Sequence, residues 1–126
     1  MIAAELRTRI PARSVLPGDS AHYLADETEG RGLRGHADAV VLPDNADEVA
    51  AVVAWCYEQG VPVVPRGGGT GYAAGAVPLD GGVVVALERL ARVRSFDPTL
   101  WRMEVEAGVT TANVRRIGRA SCRERV

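Results

Sequence analysis

The chain has 126 residues, of which 47% are hydrophobic and 25% charged, a composition typical of one globular domain. Its net charge of −1 gives no basis for a nucleic-acid partner, and no apolar run approaches the ~20 residues that span a membrane. All 15 basic residues are arginine, which excludes a lysine-dependent Walker phosphate loop. Glu5 and Arg7 interrupt the position of a signal peptide, so we expect a cytoplasmic protein without an integral membrane segment.

Residues 1–38 show no sustained periodicity, and we interpret them as an irregular N-terminal extension with room for a short helix over 2–9. The acidic run 26–29 is interpreted as a solvated loop in preference to a functional acid cluster. The histidines and cysteines have no partner at ligand spacing, so we predict no metal site and surface positions for both histidines. These residues are His22, His36, Cys56 and Cys122.

A β-α-β unit is predicted from residue 39 onward. Two short apolar strands, 39–43 and 61–65, flank a helix predicted over residues 46–59. Because the crossover is a helix, we expect the two strands to be parallel and adjacent. A third run, 83–87, is continuously apolar and is expected to be buried on both faces of the sheet.

The helix has recognisable signals at both ends. Asn45 is the expected N-cap, Glu48 stands three residues later as its capping-box partner, and Gly60 suits a left-handed residue after the last turn. Four residues recur at helical spacing and are expected to pack on the strands: Val49, Val52, Val53 and Cys56.

The last third of the chain predicts an antiparallel pair of strands and the start of a helix. A strand at 93–96 is followed by a turn at Asp97 and by Trp101, Met103 and Val105, which alternate with charged residues as in a half-buried strand. Thr110 or Thr111 is expected to cap the final helix.

Residues 117–126 depart from this pattern, since a glycine, a serine and three arginines replace the expected apolar stripe. The run is also similar to the translation of a common sequencing-library adapter, with all ten codons matching. We therefore interpret 117–126 as a non-native tail and 39–116 as an incomplete lobe. The alternative is a genuine basic C-terminus that binds a partner.

The stretch at 65–76 is the main functional signal. It holds Gly67, Gly68, Gly69 and Gly71 around Thr70, and so many glycines allow a close approach of the main chain to a ligand. Successive N–H groups in such a loop suit phosphate or pyrophosphate. A flexible surface loop is the alternative.

Part of this stretch formally fits the dinucleotide-binding fingerprint G-x-G-x-x-A, over residues 69–74. That fingerprint needs a helix that opens within the glycines, with its N-terminus facing the pyrophosphate. Gly75, Pro78, Gly81 and Gly82 forbid such a helix, and the next predicted element is a strand. The Rossmann interpretation therefore fails on context.

The segments 40–43, 61–71 and 75–78 resemble the FAD-binding PCMH-type (vanillyl-alcohol oxidase) family, in its glycolate oxidase and D-lactate dehydrogenase branch. Tyr23 and Asp26 are similar to a Tyr-x-x-Asp that precedes the first strand in that family. The resemblance implies an α+β fold, the truncated first lobe of a two-lobe FAD-binding domain. That lobe has a parallel β-α-β unit, the glycine-rich loop and then antiparallel strands.

In that family the glycine-rich loop wraps the FAD pyrophosphate, and a second segment, here 106–109, passes close to the flavin. The residues that the resemblance assigns to the cofactor are Pro65, Arg66, Gly67, Gly68, Gly69, Thr70, Gly71, Gly75, Ala76, Gly108 and Val109. For Arg66, a phosphate contact and a surface ion pair stay open as alternatives.

Two positions depart from the family pattern. Ala74-Gly75 replaces the usual second glycine pair, and Thr70 stands where covalent members have a histidine, which implies non-covalent FAD. The resemblance implies a parent enzyme that oxidises a 2-hydroxy acid, with no catalytic residue in these 126 residues and no activity of the piece alone. An electron-acceptor subunit is a possible partner. A non-catalytic nucleotide- or phosphate-binding module and a non-functional truncated product remain the alternatives.

Overall fold

The structure is a computed structural model that describes the backbone of residues 1–124 and the side chains of residues 1–121. Its helices and strands, in chain order, are α1 Ile2–Leu6, β1 Val15–Pro17, β2 Ala39–Val41, α2 Ala46–Gln59, β3 Val63–Arg66, β4 Val83–Ala86, β5 Val93–Asp97, β6 Arg102–Val105 and α3 Thr111–Glu124. Short 3-10 helices lie at Ala12–Ser14, Ala21–Tyr23 and Glu27–Arg31. Over residues 1–124, no helix is long and apolar enough to cross a membrane.

Four strands form one sheet in the order β1-β2-β4-β3, in which β2, β4 and β3 are parallel and β1 is antiparallel to β2. The parallel direction of the β-α-β strands is confirmed, but their predicted adjacency is wrong, because β4 lies between them. All four residues of β4 are buried, as predicted, which suits a central strand. Pro65 in β3 has no N–H to donate to a ladder, so β3 fits the sheet edge.

Helix α2 has the bounds and caps that its sequence predicts. The Asn45 Oδ1 accepts the Glu48 N–H at 2.9 Å, and Gly60 has φ +65° after the last turn. The Glu48 carboxylate accepts a backbone N–H in return at 2.8 Å, although from Asp44 and not from Asn45. These contacts satisfy donors that have no partner within the helix.

The buried face of α2 differs from the predicted one. Val52 and Cys56 are fully buried and Val49 is half-buried, whereas Val53 is 44% exposed. The sequence reading missed Trp55, which is buried at 4% exposure. The large indole lies three residues after Val52, on the same face of the helix, so the face that meets the sheet centres nearer to Trp55 than to Val53.

The core lies on both sides of the four-stranded sheet. One side joins α1 and α2 to alternate strand residues: Leu6, Ile10, Val15, Ala39, Val41, Val52, Trp55, Cys56, Val83 and Val85. The other side holds Val40, Leu42, Val84 and Ala86. The N-terminal stretch therefore contributes β1 and three residues of the first cluster, which the interpretation of 1–38 as irregular missed.

Strands β5 and β6 form a separate antiparallel pair. The Asp97 carboxylate accepts N–H groups from Thr99 and Leu100 at 2.9 and 3.1 Å, which builds the predicted turn. Trp101 was expected in the strand but lies in the turn, with φ +53° and 83% exposure. The half-buried alternation therefore begins at Met103.

Helix α3 begins as predicted, since the Thr110 hydroxyl accepts the Asn113 N–H at 3.2 Å. The helix continues through Glu124, so the change of composition at Ile117 does not end it. Arginine, alanine and glutamate favour helix strongly enough to offset Gly118. Residues 125 and 126 lie outside the described residues, and the origin of 117–126 stays a prediction.

Candidate functional site

The glycine-rich loop begins where β3 ends, at the edge of the sheet where all three parallel strands end. Residues 67–76 contain neither helix nor strand, so no helix opens within the glycines. This confirms the context that argued against a Rossmann unit. The carboxyl edge of parallel strands is a common place for ligand sites in α/β proteins.

The loop presents a row of free backbone donors. Within the part of the chain that the structure describes, the N–H groups of residues 67–73 donate to no backbone acceptor. Gly67, Gly68, Thr70 and Gly71 are exposed. Unpaired N–H groups in succession are the arrangement that binds anions.

The glycines of the loop fall into two kinds. Among the residues that the structure describes, a Cβ added at Gly67 or Gly75 would meet nothing within 4 Å, and one at Gly68 would meet only the Thr70 side chain, at 3.8 Å. Gly69 instead has φ +69°, and its Cβ would lie 2.1 Å from the Arg66 Nη2. Gly69 is therefore required by the fold, whereas the protein itself leaves room for a side chain at Gly67 and Gly68.

Arg66 lies beneath this loop. Its side chain is only 5% exposed, and its Nη1 donates to the Ala25 carbonyl at 2.5 Å. The guanidinium carbon also lies 5.7 Å from the centroid of the Tyr23 ring, within cation–π range. The alternative of a surface ion pair is therefore wrong, because Arg66 is a buried support with its guanidinium against Gly69.

Tyr23 is itself tied to the sheet edge. Its hydroxyl donates to the Glu88 carboxylate at 2.9 Å, just beyond β4. Burial, followed by the Glu88 hydrogen bond, raises the pKa of the Tyr23 phenol. The ring that faces Arg66 is therefore held in the neutral form over a wide pH range.

The acidic run 26–29 is not uniformly solvated as predicted. Asp26 is 6% exposed and Thr28 2% exposed, while Glu27 and Glu29 are exposed. The Asp26 Oδ1 accepts two hydrogen bonds from Thr28, one from the backbone N–H at 2.8 Å and one from the side-chain hydroxyl at 2.5 Å. These bonds cap the 3-10 helix Glu27–Arg31. The Asp-x-Thr spacing is the sequence signal for such a turn.

This acidic segment contacts the loop directly. The Glu27 N–H donates to the Gly71 carbonyl at 3.1 Å. Hydrogen bonds from Thr28 above all, with smaller effects of the Arg66 charge and the Ala76 N–H, hold the pKa of Asp26 below its usual value. Residue-level reasoning missed this segment, although the resemblance had singled out Tyr23 and Asp26.

The second predicted segment reaches the same edge of the sheet. The Gly108 N–H donates to the Leu90 carbonyl at 2.8 Å, and a Cβ at Gly108 would lie 1.8 Å from the Leu87 oxygen. The Leu87 N–H donates in turn to the Arg66 carbonyl at 2.9 Å. A single residue, Leu87, therefore links Gly108 to Arg66, where the loop begins. Val109 is half-buried beside Gly108.

Ala74 occupies the position at which the sequence departs from the family glycine pair. It has φ +58°, a left-handed conformation in which a side chain is strained. The Val77 N–H donates to the Ala74 carbonyl at 3.1 Å and closes the turn after it. Gly75 is exposed and Ala76 half-buried on this returning arm of the loop.

A groove of about 580 Å³ lies elsewhere, between the β5–β6 pair and α3. Its wall includes Phe96, Trp101 and Met103, together with Gly118, Arg119 and Ser121 of the segment interpreted as non-native. None of the predicted site residues lines it. We therefore place the candidate site at the glycine-rich loop.

Comparison with known proteins identifies the family. A family profile described as FAD binding domain matches residues 37–122. The D-2-hydroxyglutarate dehydrogenase of Xanthomonas citri pv. viticola is 39% identical over 103 residues, which cover 82% of this chain and 21% of the relative. Glycolate oxidase subunit GlcD of Escherichia coli K12 is 35% identical over 105 residues, with the same two coverages.

Known structures show the same fold. A p-cresol methylhydroxylase structure aligns with a TM-score of 0.77 at 21% identity, over 94% of this chain and 24% of that chain. An alkyldihydroxyacetonephosphate synthase aligns with a TM-score of 0.76 at 17% identity, over the same shares. The chain spans about a fifth of the length of the curated relatives it matches. With a profile match over most of its length, the chain belongs to the FAD-binding domain family of PCMH type, and FAD is its cofactor.

Proposed function

We propose that residues 67–71 bind the FAD pyrophosphate through their backbone N–H groups, in a protein that oxidises a 2-hydroxy acid. The observation that carries this proposal is the row of free, exposed donors beside glycines with open space around them. A side chain at Gly67 or Gly68 would fill the volume through which a ligand approaches the main chain. The donors and the open glycines therefore fit a pyrophosphate.

The electrostatics of the loop agree with an anionic ligand. Each N–H that bonds a charged oxygen contributes about 1.5–3 kcal/mol. The buried Arg66 guanidinium lies behind Gly69 and adds positive potential to the exposed side of the loop. In this proposal Arg66 does not contact the phosphates directly, because its Nη1 already donates to the Ala25 carbonyl. It supports the loop whose N–H groups bind them.

The other predicted residues complete the proposed site around the loop. Pro65 fixes its entry, Gly75 and Ala76 form its returning arm, and Gly108 and Val109 bring a second segment to the same edge. Thr70 offers no nucleophilic imidazole for a covalent flavin bond, so we propose that FAD is held non-covalently. The interpretation of 39–116 as an incomplete lobe and of 117–126 as a non-native tail stays part of the proposal, with β1 from residues 1–38 added to the sheet of that lobe.

The activity of the whole protein is inferred from its relatives. The names of three of them specify D-2-hydroxyglutarate, glycolate and D-lactate, all small 2-hydroxy acids. Bound flavin supplies the redox chemistry of such an enzyme by accepting a hydride equivalent. None of residues 1–121 is assigned a catalytic role. A cytoplasmic location and an electron-acceptor subunit complete the proposal.

Gly68→Ala in the full-length protein tests the loop without disturbing its fold. Gly68 lacks positive φ and has open space, so the apoprotein should unfold at the wild-type temperature. We expect FAD affinity to fall on the order of tenfold, because the methyl group crowds the approach of the phosphates. Gly30→Ala is the matched control, since Gly30 is equally open but lies outside the loop. A Gly68→Ala protein with wild-type affinity for FAD would contradict the proposed site.

A further inference from the structure

The Asp26 carboxylate has an unused hydrogen-bond acceptor. Among the described residues, its Oδ2 is the only buried side-chain oxygen or nitrogen without a hydrogen-bond partner. Asp26 is 6% exposed, so solvent does not provide an easy partner. An unpaired buried acceptor is unfavourable in a native protein and calls for an explanation.

The Asp26 carboxylate lies against segment 71–76 of the glycine-rich loop. Oδ2 lies 3.8 Å from the point where a Cβ would stand on Gly71. The Ala76 N–H is near enough to the same carboxylate to help lower its pKa, although among the described residues the Asp26 side chain accepts hydrogen bonds only from Thr28. Glu27, the residue after Asp26, already donates its backbone N–H to the Gly71 carbonyl.

Two consecutive residues therefore face the two ends of one six-residue segment, 71–76. Glu27 holds the Gly71 end, and Asp26 faces the Ala76 end without a formed hydrogen bond. We propose that Asp26 is a positioning residue, whose Oδ2 accepts the Ala76 N–H when pyrophosphate binds and so closes segment 71–76 around the ligand. This inference rests on the proposed function of the loop.

Asp26 does not contact the phosphates directly in this arrangement. The carboxylate is buried while Gly71 is exposed, so Asp26 lies behind the main chain that would meet the ligand. Two anions in contact would also repel each other. The Arg66 guanidinium lies in the same layer, and its charge favours the ionised carboxylate that accepts hydrogen bonds best.

The test compares Asp26→Asn with Glu27→Gln in the full-length protein. Each variant removes one carboxylate charge. Glu27 holds Gly71 through its backbone N–H, which the glutamine variant keeps, and the Glu27 side chain is exposed. The dissociation constants of FAD and of riboflavin, which lacks the pyrophosphate, are measured for both. For Asp26→Asn we expect an increase on the order of tenfold for FAD and no change for riboflavin. For Glu27→Gln we expect no change for either ligand.

The FAD-to-riboflavin comparison separates positioning from a general structural role, because a loosened fold would weaken both ligands. If Gly68→Ala loses FAD while Asp26→Asn retains wild-type affinity, the proposed site stands and the inference about Asp26 is wrong. If both variants keep wild-type affinity, both ideas are wrong.

Thr28→Val covers the case in which Asp26→Asn fails to fold. It removes the hydroxyl that donates to Oδ1 and leaves the backbone N–H of residue 28 as the one remaining donor to that oxygen, so the carboxylate is held less firmly. We expect FAD affinity to fall about threefold, less than for loss of the carboxylate itself. Unchanged affinity for FAD in Thr28→Val would overturn the positioning role.

Discussion

The two sides of the glycine-rich loop use glycine for different physical reasons. On the buried side, Gly69 has positive φ and rests against the Arg66 guanidinium, so the fold itself requires it. On the exposed side, Gly67 and Gly68 have open space and no positive φ. Nothing among the described residues explains their lack of a side chain, whereas the proposed close approach of the pyrophosphate would. Variants on the two sides should therefore separate folding from cofactor binding.

Gly69→Val should have the largest effect on the buried side. Valine at φ +69° is strained, and its Cβ would lie 2.1 Å from the Arg66 side chain. We expect the free energy of unfolding to fall by about 2–5 kcal/mol, measured by urea denaturation of the apoprotein. FAD retention should be lost as well. A Gly69→Val protein that unfolds like the wild type would break the distinction between the two sides.

Arg66→Ala should be less severe but still affect the apoprotein. It leaves the buried Ala25 carbonyl without its charged donor and removes the support beneath Gly69. We expect a loss of about 2 kcal/mol in thermal or urea unfolding. Arg34→Ala is the control, because Arg34 makes an exposed ion pair with Glu29 and a long, exposed hydrogen bond to the Ala21 carbonyl, and its loss should cost less than about 1 kcal/mol. Equal effects of the two variants would show that Arg66 does not support the loop.

Ala74→Gly should give the smallest effect, and in the opposite direction. Ala74 has φ +58°, so glycine would relieve its strain and stabilise the apoprotein by about 0.5–1 kcal/mol. Ala73→Gly is the matched control, because Ala73 lacks positive φ and gains only backbone freedom in the unfolded state. A melting temperature that falls equally in both variants would argue against strain at Ala74.

Local signals explain which elements the sequence could predict. Helix α2 matches its predicted bounds because the residues that cap it, Asn45 and Gly60, are adjacent to the helix in the sequence. Strand β4 was predicted because a continuously apolar run favours a strand that is buried on both faces. The glycine-rich stretch 65–76 was predicted to be a loop from its glycines and from the apolar strand that precedes it. Its role in binding FAD remains a proposal.

The features that were missed depend on distant partners. Strand β1 has only three residues and exists through its pairing with β2. Both β3 and β4 could pair with β2, and in the structure β4 takes the position beside β2. The β-α-β pattern predicts that β2 and β3 are parallel, but it does not show that a later strand lies between them. Arg66 and Asp26 are buried because the segment 23–28 folds over the loop some 40 residues away in sequence. Charged residues in a polar, irregular stretch give no local sign of such burial.

The most direct test of the central claim follows the amides of the loop themselves. In the isotopically labelled full-length protein, the amide resonances of residues 67–71 are compared with and without FAD. If these N–H groups bind the pyrophosphate, their proton resonances should move downfield and their exchange with solvent should slow. The amide of Gly30, which lies in the 3-10 helix Glu27–Arg31 outside the loop, should not change. FAD binding that leaves the amides of residues 67–71 unaltered would contradict the account.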